Sequence, residues 1–107
     1  MVSRELKTSD VADTYNNAVK KVATNGVITV LASLPGPNSL AVDTAGDVYV
    51  TYASNLVREI EASGQITVVG SGFFGPSGVA VDGHGNVYVA DSGHYAIKMV
   101  LGDVDQK

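Results

Sequence analysis

The chain has 107 residues, 45% of them hydrophobic and 17% charged, with a formal net charge of −4 and no cysteine. That is the size and make-up of a single globular unit; it excludes a disulfide framework and thiolate metal sites. The seven Lys and Arg residues are scattered and form no basic stripe, so nucleic acid is not an expected partner.

The N-terminal ten residues, "MVSRELKTSD", have no apolar core of the signal-peptide kind. No run approaches the ~18 apolar residues of a membrane span. The compartment is not written in the chain. Residues 1–10 are unlike the rest of the chain and are read as a non-repeat segment.

From residue 11 the chain repeats itself. The stretch "ADTYNNAVKKV" (12–22) resembles "ADSGHYAIKMV" (90–100), and "VKKVATNGVITVLA" (19–32) resembles "VREIEASGQITVVG" (57–70). Residues 36–50 and 75–89 are identical at nine of fifteen positions, among them the Gly-Pro start, Ala-Val-Asp and Val-Tyr-Val. The period is therefore near 39 residues. Val11, Tyr15, Val19 and Val22 also fall on a helical stripe, with "TNG" as its cap. A helix thus competes with a loop and strand for the segment up to residue 24.

The clearest unit runs through four short apolar segments, 39–43, 48–52, 56–60 and 66–70. Between them lie "TAGD", "ASN" and "EASGQ", which are turn sequences. Gly46, Gly64 and Gly85 stand where a tight hairpin needs positive φ. The first two strands of each unit are nearly continuous in apolar residues, as expected when both faces are covered. The third carries the charges Lys20, Lys21, Arg58, Glu59 and Lys98 and is expected nearer the rim. A four-strand antiparallel meander repeating near 40 residues predicts an all-β chain built of β-propeller blades. The blades are a partial one at 11–33, a full one at 34–71 and an incomplete one at 72–102, with a tail at 103–107.

The stretch "GPSGVAVDGHGNVYVADSGHYAIKMV" (75–100) resembles an NHL repeat. The pattern is a Pro-x-Gly-apolar-Ala-apolar-Asp strand, a Gly-Asn/Asp turn, then apolar-Tyr-Val-Ala-Asp, then an Asn-rich loop and an Ile-x-Lys-apolar strand. Three departures stand out. Tyr52 occupies the place of Asp13 and Asp91, His94 and Tyr95 replace the usual Asn, and Ala96-Ile97 replaces Arg-Ile. The resemblance implies a binding or scaffold module presenting propeller loops to a protein, peptide or carbohydrate. Its alternative is a fragment of a propeller enzyme, a lyase or lactone hydrolase with a metal at the central channel. The site of such an enzyme draws ligands from several blades.

The strands predicted here make about two and a half blades, whereas a ring closes with about 4–8. The expectation is a piece of a longer propeller, or a protomer that completes a ring as a homo-oligomer.

Candidate sites are few. "GSGFFG" (70–75) matches Gly-x-Gly-x-x-Gly, but Pro76 and a strand come next where a dinucleotide site needs a helix. His84 and His94 are expected at opposite ends of one strand, roughly 16 Å apart, so they cannot share a zinc ion. Asp43 and Asp82, and likewise Asp13 and Asp91, are read as side chains capping turns. No nucleophile triad, phosphate loop or pair of carboxylates on one pocket wall is expected, hence no catalytic residue, cofactor or metal. The loops 13–17, 52–55 and 91–95 should share one face with the links 34–38 and 72–77. That face, with Tyr15, Asn16, Asn17, Tyr52, Asn55, His94, Tyr95, Phe73 and Phe74, is the expected binding surface. Tyr, Asn and His make adaptable aromatic and polar contacts.

Overall fold

The computed structural model describes residues 9–102. Most of the expected non-repeat segment, residues 1–8, and the expected tail, 103–107, lie outside the described residues. The first sheet is β1 (Ser9–Asp13), β2 (Ala18–Val22) and β3 (Ile28–Ser33), in that order. The second is β4 (Ser39–Val42), β5 (Val48–Thr51), β6 (Val57–Ile60) and β7 (Ile66–Val68). The third is β8 (Pro76–Val81), β9 (Val87–Asp91) and β10 (Ala96–Val100). Every pairing is antiparallel between chain neighbours, so each sheet is a meander.

The segment up to residue 24 is strand, 3₁₀ turn (Thr14–Asn16) and strand, not helix. Its helical stripe is overridden by tertiary packing. Val19 pairs with Ala12 on one side and Ala32 on the other, and is fully buried in the core. The same strand–turn–strand returns at β9, Ser92–His94 and β10.

Two cores hold the three sheets together. Val19, Ala32, Leu34, Val48, Val50 and Ile60 pack between the first and second sheets. Tyr49, Val57, Val69, Phe73, Val87 and Val89 pack between the second and third. The central strand β5 is buried at all four positions. Its period of two sends Val48 and Val50 one way and Tyr49 the other, which explains its continuous apolar sequence. In β9 only one side is covered by a described neighbour: Val87, Val89 and Asp91 are buried while Tyr88 is exposed. In the third strand β6, Val57 and Ile60 are buried and the charges sit between them at Arg58 and Glu59.

The turns joining the first two strands of a unit are built around an aspartate. Asp43 Oδ1 accepts from the Ala45 and Asp47 amides, both at 3.0 Å, and Asp82 Oδ1 accepts from the His84 and Asn86 amides at 2.8 and 3.0 Å. Gly46 and Gly85 close these turns at φ 89° and 85°, a region closed to most side chains. The tyrosine of the next strand locks the other oxygen: the Tyr49 hydroxyl donates to Asp43 at 2.9 Å and that of Tyr88 to Asp82 at 3.0 Å. The Asn86 side-chain amide leads in holding the Asp82 carboxyl down to about 2, working against desolvation with help from the turn amides. These two aspartates are turn-capping groups.

Candidate functional site

At the other end of the strands, hydrogen bonds knit the loops of each blade to the links that enter it and the next blade. The Asn17 side-chain oxygen accepts from the Gly36 amide at 3.0 Å, and Asn55 does the same for Gly75 at 2.9 Å. Leu34 donates to the Asn17 carbonyl, Ala53 to that of Pro35 and Gly93 to that of Phe74. The Thr14 hydroxyl donates to the Pro37 carbonyl at 2.7 Å. The loops and links therefore form one continuous surface.

Beneath it each blade carries a bracket from the end of its second strand to its third. In the first blade, Asp13 Oδ2 accepts from Asn16 at 2.8 Å and Lys20 at 2.7 Å. Those two groups, Asn16 foremost, hold its carboxyl below the usual range. In the second, the Tyr52 hydroxyl accepts from Arg58 Nε at 3.0 Å. In the third, the fully buried Asp91 accepts from the Phe74 amide at 2.7 Å, His94 Nδ1 at 2.6 Å and Lys98 Nζ at 2.7 Å. Burial works to raise the Asp91 pKa. The Lys98 ammonium, the Phe74 amide and His94 outweigh it and hold the carboxyl below the ordinary range. A carboxylate only accepts, so this contact puts the proton on Nδ1 of His94. His94 also sets its ring 5.9 Å from that of Phe74.

The residues expected on this face divide by exposure. Tyr15 and Tyr95 are 98% exposed. Asn17 and Asn55 are at the surface, with their oxygens engaged by the links. The His94 side chain is half exposed. Tyr52 is only 8% exposed and sits within the first core, so it meets solvent very little. Of the two phenylalanines, Phe73 is buried between the second and third sheets and Phe74 lies at the surface. No helix comes after "GSGFFG"; the chain runs directly into β8.

Asn17 and Tyr95 occupy the same left-handed conformation, φ 55° and ψ 44°. Asn accepts that region readily and Tyr does not. Tyr95→Asn is therefore expected to stabilise the chain by about 1 kcal/mol, read as a higher denaturation midpoint. An unchanged midpoint would mean that Tyr95 is held by contacts worth as much.

The opposite end holds a feature that sequence reasoning missed. A cleft of about 570 Å³ between the second and third sheets is lined by Asp43, Asp47, Glu59, Glu61, Tyr49 and His84, among others. Oxygens of Asp43, Asp47 and Glu59 lie within 4.8 Å of one another. This corrects the expectation that no carboxylates share a pocket wall. The signal lay in the register: Tyr49 pairs with Glu59 across β5 and β6, next to the turn that carries both aspartates. Both Asp43 oxygens are taken by turn amides and Tyr49, and Asp47 Oδ1 accepts from Ala62 at 2.8 Å. A cation here would compete with the bonds that form the turn.

Desolvation, then the neighbouring Asp47 and Glu61, raises the Glu59 pKa. A carboxyl raised on folding favours the protonated fold. Its contribution is complete below the ordinary Glu range and is lost as pH rises through the raised value. Glu59→Gln is expected to melt a few degrees above the wild type at pH 7, with the gap closing near about pH 4. Melts at the two pH values check this.

The family model of the NHL repeat matches residues 73–98. Among curated proteins none matches the chain in sequence. Solved structures with a similar fold include streptogramin B lyase, at 17% identity and TM-score 0.75, covering 94% of this chain and 36% of that one. Selenomethionine-substituted virginiamycin B lyase from Staphylococcus aureus matches at 17% identity and TM-score 0.76, over 95% of this chain and 37% of that one. A catalytically inactive virginiamycin B lyase from the same organism, with quinupristin, matches at 16% identity and TM-score 0.71, over 98% and 41%. The chain thus spans little more than a third of the length of these structures. At such identity the likeness fixes the fold: the three sheets are blades of a β-propeller.

Proposed function

We propose, from the premise that residues 73–98 are an NHL repeat within a propeller segment, that this chain is a recognition module. Its loop-rich end binds a protein, peptide or carbohydrate. One observation carries the reading: Tyr15 and Tyr95, both 98% exposed, project from loops whose backbones are braced by side-chain brackets. Exposed aromatics on a fixed frame give contact area at low entropic cost. Phe74, His94, Asn17 and Asn55 complete the surface. Asp13, Asp43, Asp82 and Asp91 are each engaged in structural hydrogen bonds, which leaves them poorly suited to acid–base work.

The test is a peptide and glycan array probed with the wild type and with the double variant Tyr15→Ala/Tyr95→Ala. A ligand of this face is expected to bind the variant at least ~10-fold more weakly while binding Gln65→Ala, altered at the opposite end, as well as the wild type. Ligands indifferent to both tyrosines would sink the reading.

A second reading is favoured by the solved structures with this fold: the chain is part of a propeller lyase acting on a streptogramin B. The blades outside this segment would then supply most of the site. Lyase activity and bound divalent metal in a protein containing all the blades would support this reading over the first.

A further inference from the structure

We propose, building on the loop-end reading above, that the Arg58 guanidinium anchors a carboxylate, and that the ligand of this end is an acidic peptide.

The three blades treat one cation differently. Lys20, Arg58 and Lys98 hold matching places in the third strands β2, β6 and β10. Two of them are neutralised within their own blade: Lys20 Nζ lies 2.7 Å from Asp13 Oδ2, and Lys98 Nζ lies 2.7 Å from Asp91 Oδ2. In the second blade Tyr52 stands in the place of the aspartate, and its neutral hydroxyl accepts from Arg58 Nε at 3.0 Å. A guanidinium has further N–H donors on its two amino groups. Those of Arg58 have no hydrogen-bond or ion-pair partner among the described residues, and they are not buried. The second blade is packed against a described blade on each side, so its neighbours on both faces are known.

A ligand carboxylate would complete the pair that the other two blades make within themselves. Arginine offers paired N–H groups that match both oxygens of a carboxylate at once. Tyr52 is buried in the first core, and its hold on Nε restrains the fork while leaving the amino groups to solvent.

Charge is sorted over the molecule in the same sense. Asp43, Asp47, Glu59 and Glu61 line the cleft at the opposite end, and Asp82 caps a turn there. At the loop-rich end the carboxylates Asp13 and Asp91 are already paired. An anion approaching a chain of net charge −4 is therefore repelled from one end and drawn to the other. A polyanion needs a row of unneutralised cations. Here a single free guanidinium shares its end with the exposed rings of Tyr15, Tyr95 and Phe74. That combination suits a peptide with one acidic group among apolar residues.

The probes are two capped heptapeptide libraries, alike except that the central residue is Glu in one and Gln in the other. A third, with central Gln and a free carboxyl terminus, tells a side-chain acid from a terminal one. Each is screened against the full chain, and the selected peptides are titrated. Carboxylate peptides are expected to bind at least ~10-fold more tightly than their neutral counterparts. Arg58→Gln should abolish that difference and Arg58→Lys should keep part of it. The comparison of peptides on the wild type leaves the protein's own folding untouched. Equal binding of acidic and neutral peptides, or a preference that persists in Arg58→Gln, would overturn the proposal. So would Arg58-dependent binding of an oligouridylate or of polygalacturonate in preference to the peptides, or no peptide binding at millimolar concentration. Peptides that need Tyr15 and Tyr95 but no carboxylate would remove the anchor and leave the loop-end reading standing. Acidic peptides that need Arg58 but neither tyrosine would keep the anchor and sink that reading.

Discussion

Asp91→Ala is expected to lower the melting temperature by on the order of 10 °C or more. The carboxylate is fully buried and is the common acceptor for the Phe74 amide, His94 Nδ1 and Lys98 Nζ. Alanine leaves all three donors without it, and one of them is a cation. Asp91→Asn keeps an oxygen for the amide but loses the charge facing Lys98, so it should fall between the alanine variant and the wild type. The effect also has a pH signature. A carboxyl whose pKa is lowered on folding stabilises the protein above the ordinary carboxylate range, and that stability is lost as pH falls toward the lowered value. The gap between wild type and Asp91→Asn should therefore narrow on acidification below about pH 4. Melting curves across that range decide it, and a gap that holds constant would mean Asp91 is not ionised in the fold.

The second large effect separates two adjacent residues. Phe73 is 7% exposed and packs with Tyr49, Val57, Val87 and Val89 between the second and third sheets. Phe74 is 56% exposed. Phe73→Ala should cost about 3–5 kcal/mol, and Phe74→Ala less than about 1 kcal/mol, in denaturant titrations. Equal losses would mean that the link between these blades runs in another register.

The repeat made most of the architecture legible. The match of residues 36–50 with 75–89 located the first two strands and their hairpin in both units, because the Asp, Gly and Tyr that build the turn recur together. Strand ends were less legible. Asp43 belongs to its turn and Tyr52 to its loop, so β4 and β5 stop one residue short of the expected segments 39–43 and 48–52. The burial of Tyr52 was hidden because its place in the repeat is otherwise held by a polar residue. Its ring joins a core that forms only when the first sheet lies against the second. The contrast between Asp13 and Asp91 was hidden in the same way. Their sequence contexts are alike, but the link at Phe74 closes over Asp91, whereas the Asp13 side chain remains 29% exposed. The carboxylates Asp43, Asp47 and Glu59 of the acidic cleft come from one blade and could be read from the register of β5 and β6, but the wall that makes it a cleft is supplied by the third blade, which no single repeat encodes.

The loop-rich end is a braced surface, knit blade to blade by side-chain and backbone hydrogen bonds, and amide hydrogen exchange on the whole chain puts that bracing to the sharpest test. The amides of Gly36, Phe74, Gly75 and Gly93 donate to Asn17, Asp91, Asn55 and the Phe74 carbonyl. All four should exchange at least ~100-fold more slowly than in an unstructured chain, the protection expected of amides released only by local opening. Exchange of these amides at the unstructured rate, with the strand amides still protected, would mean that the loops are not braced.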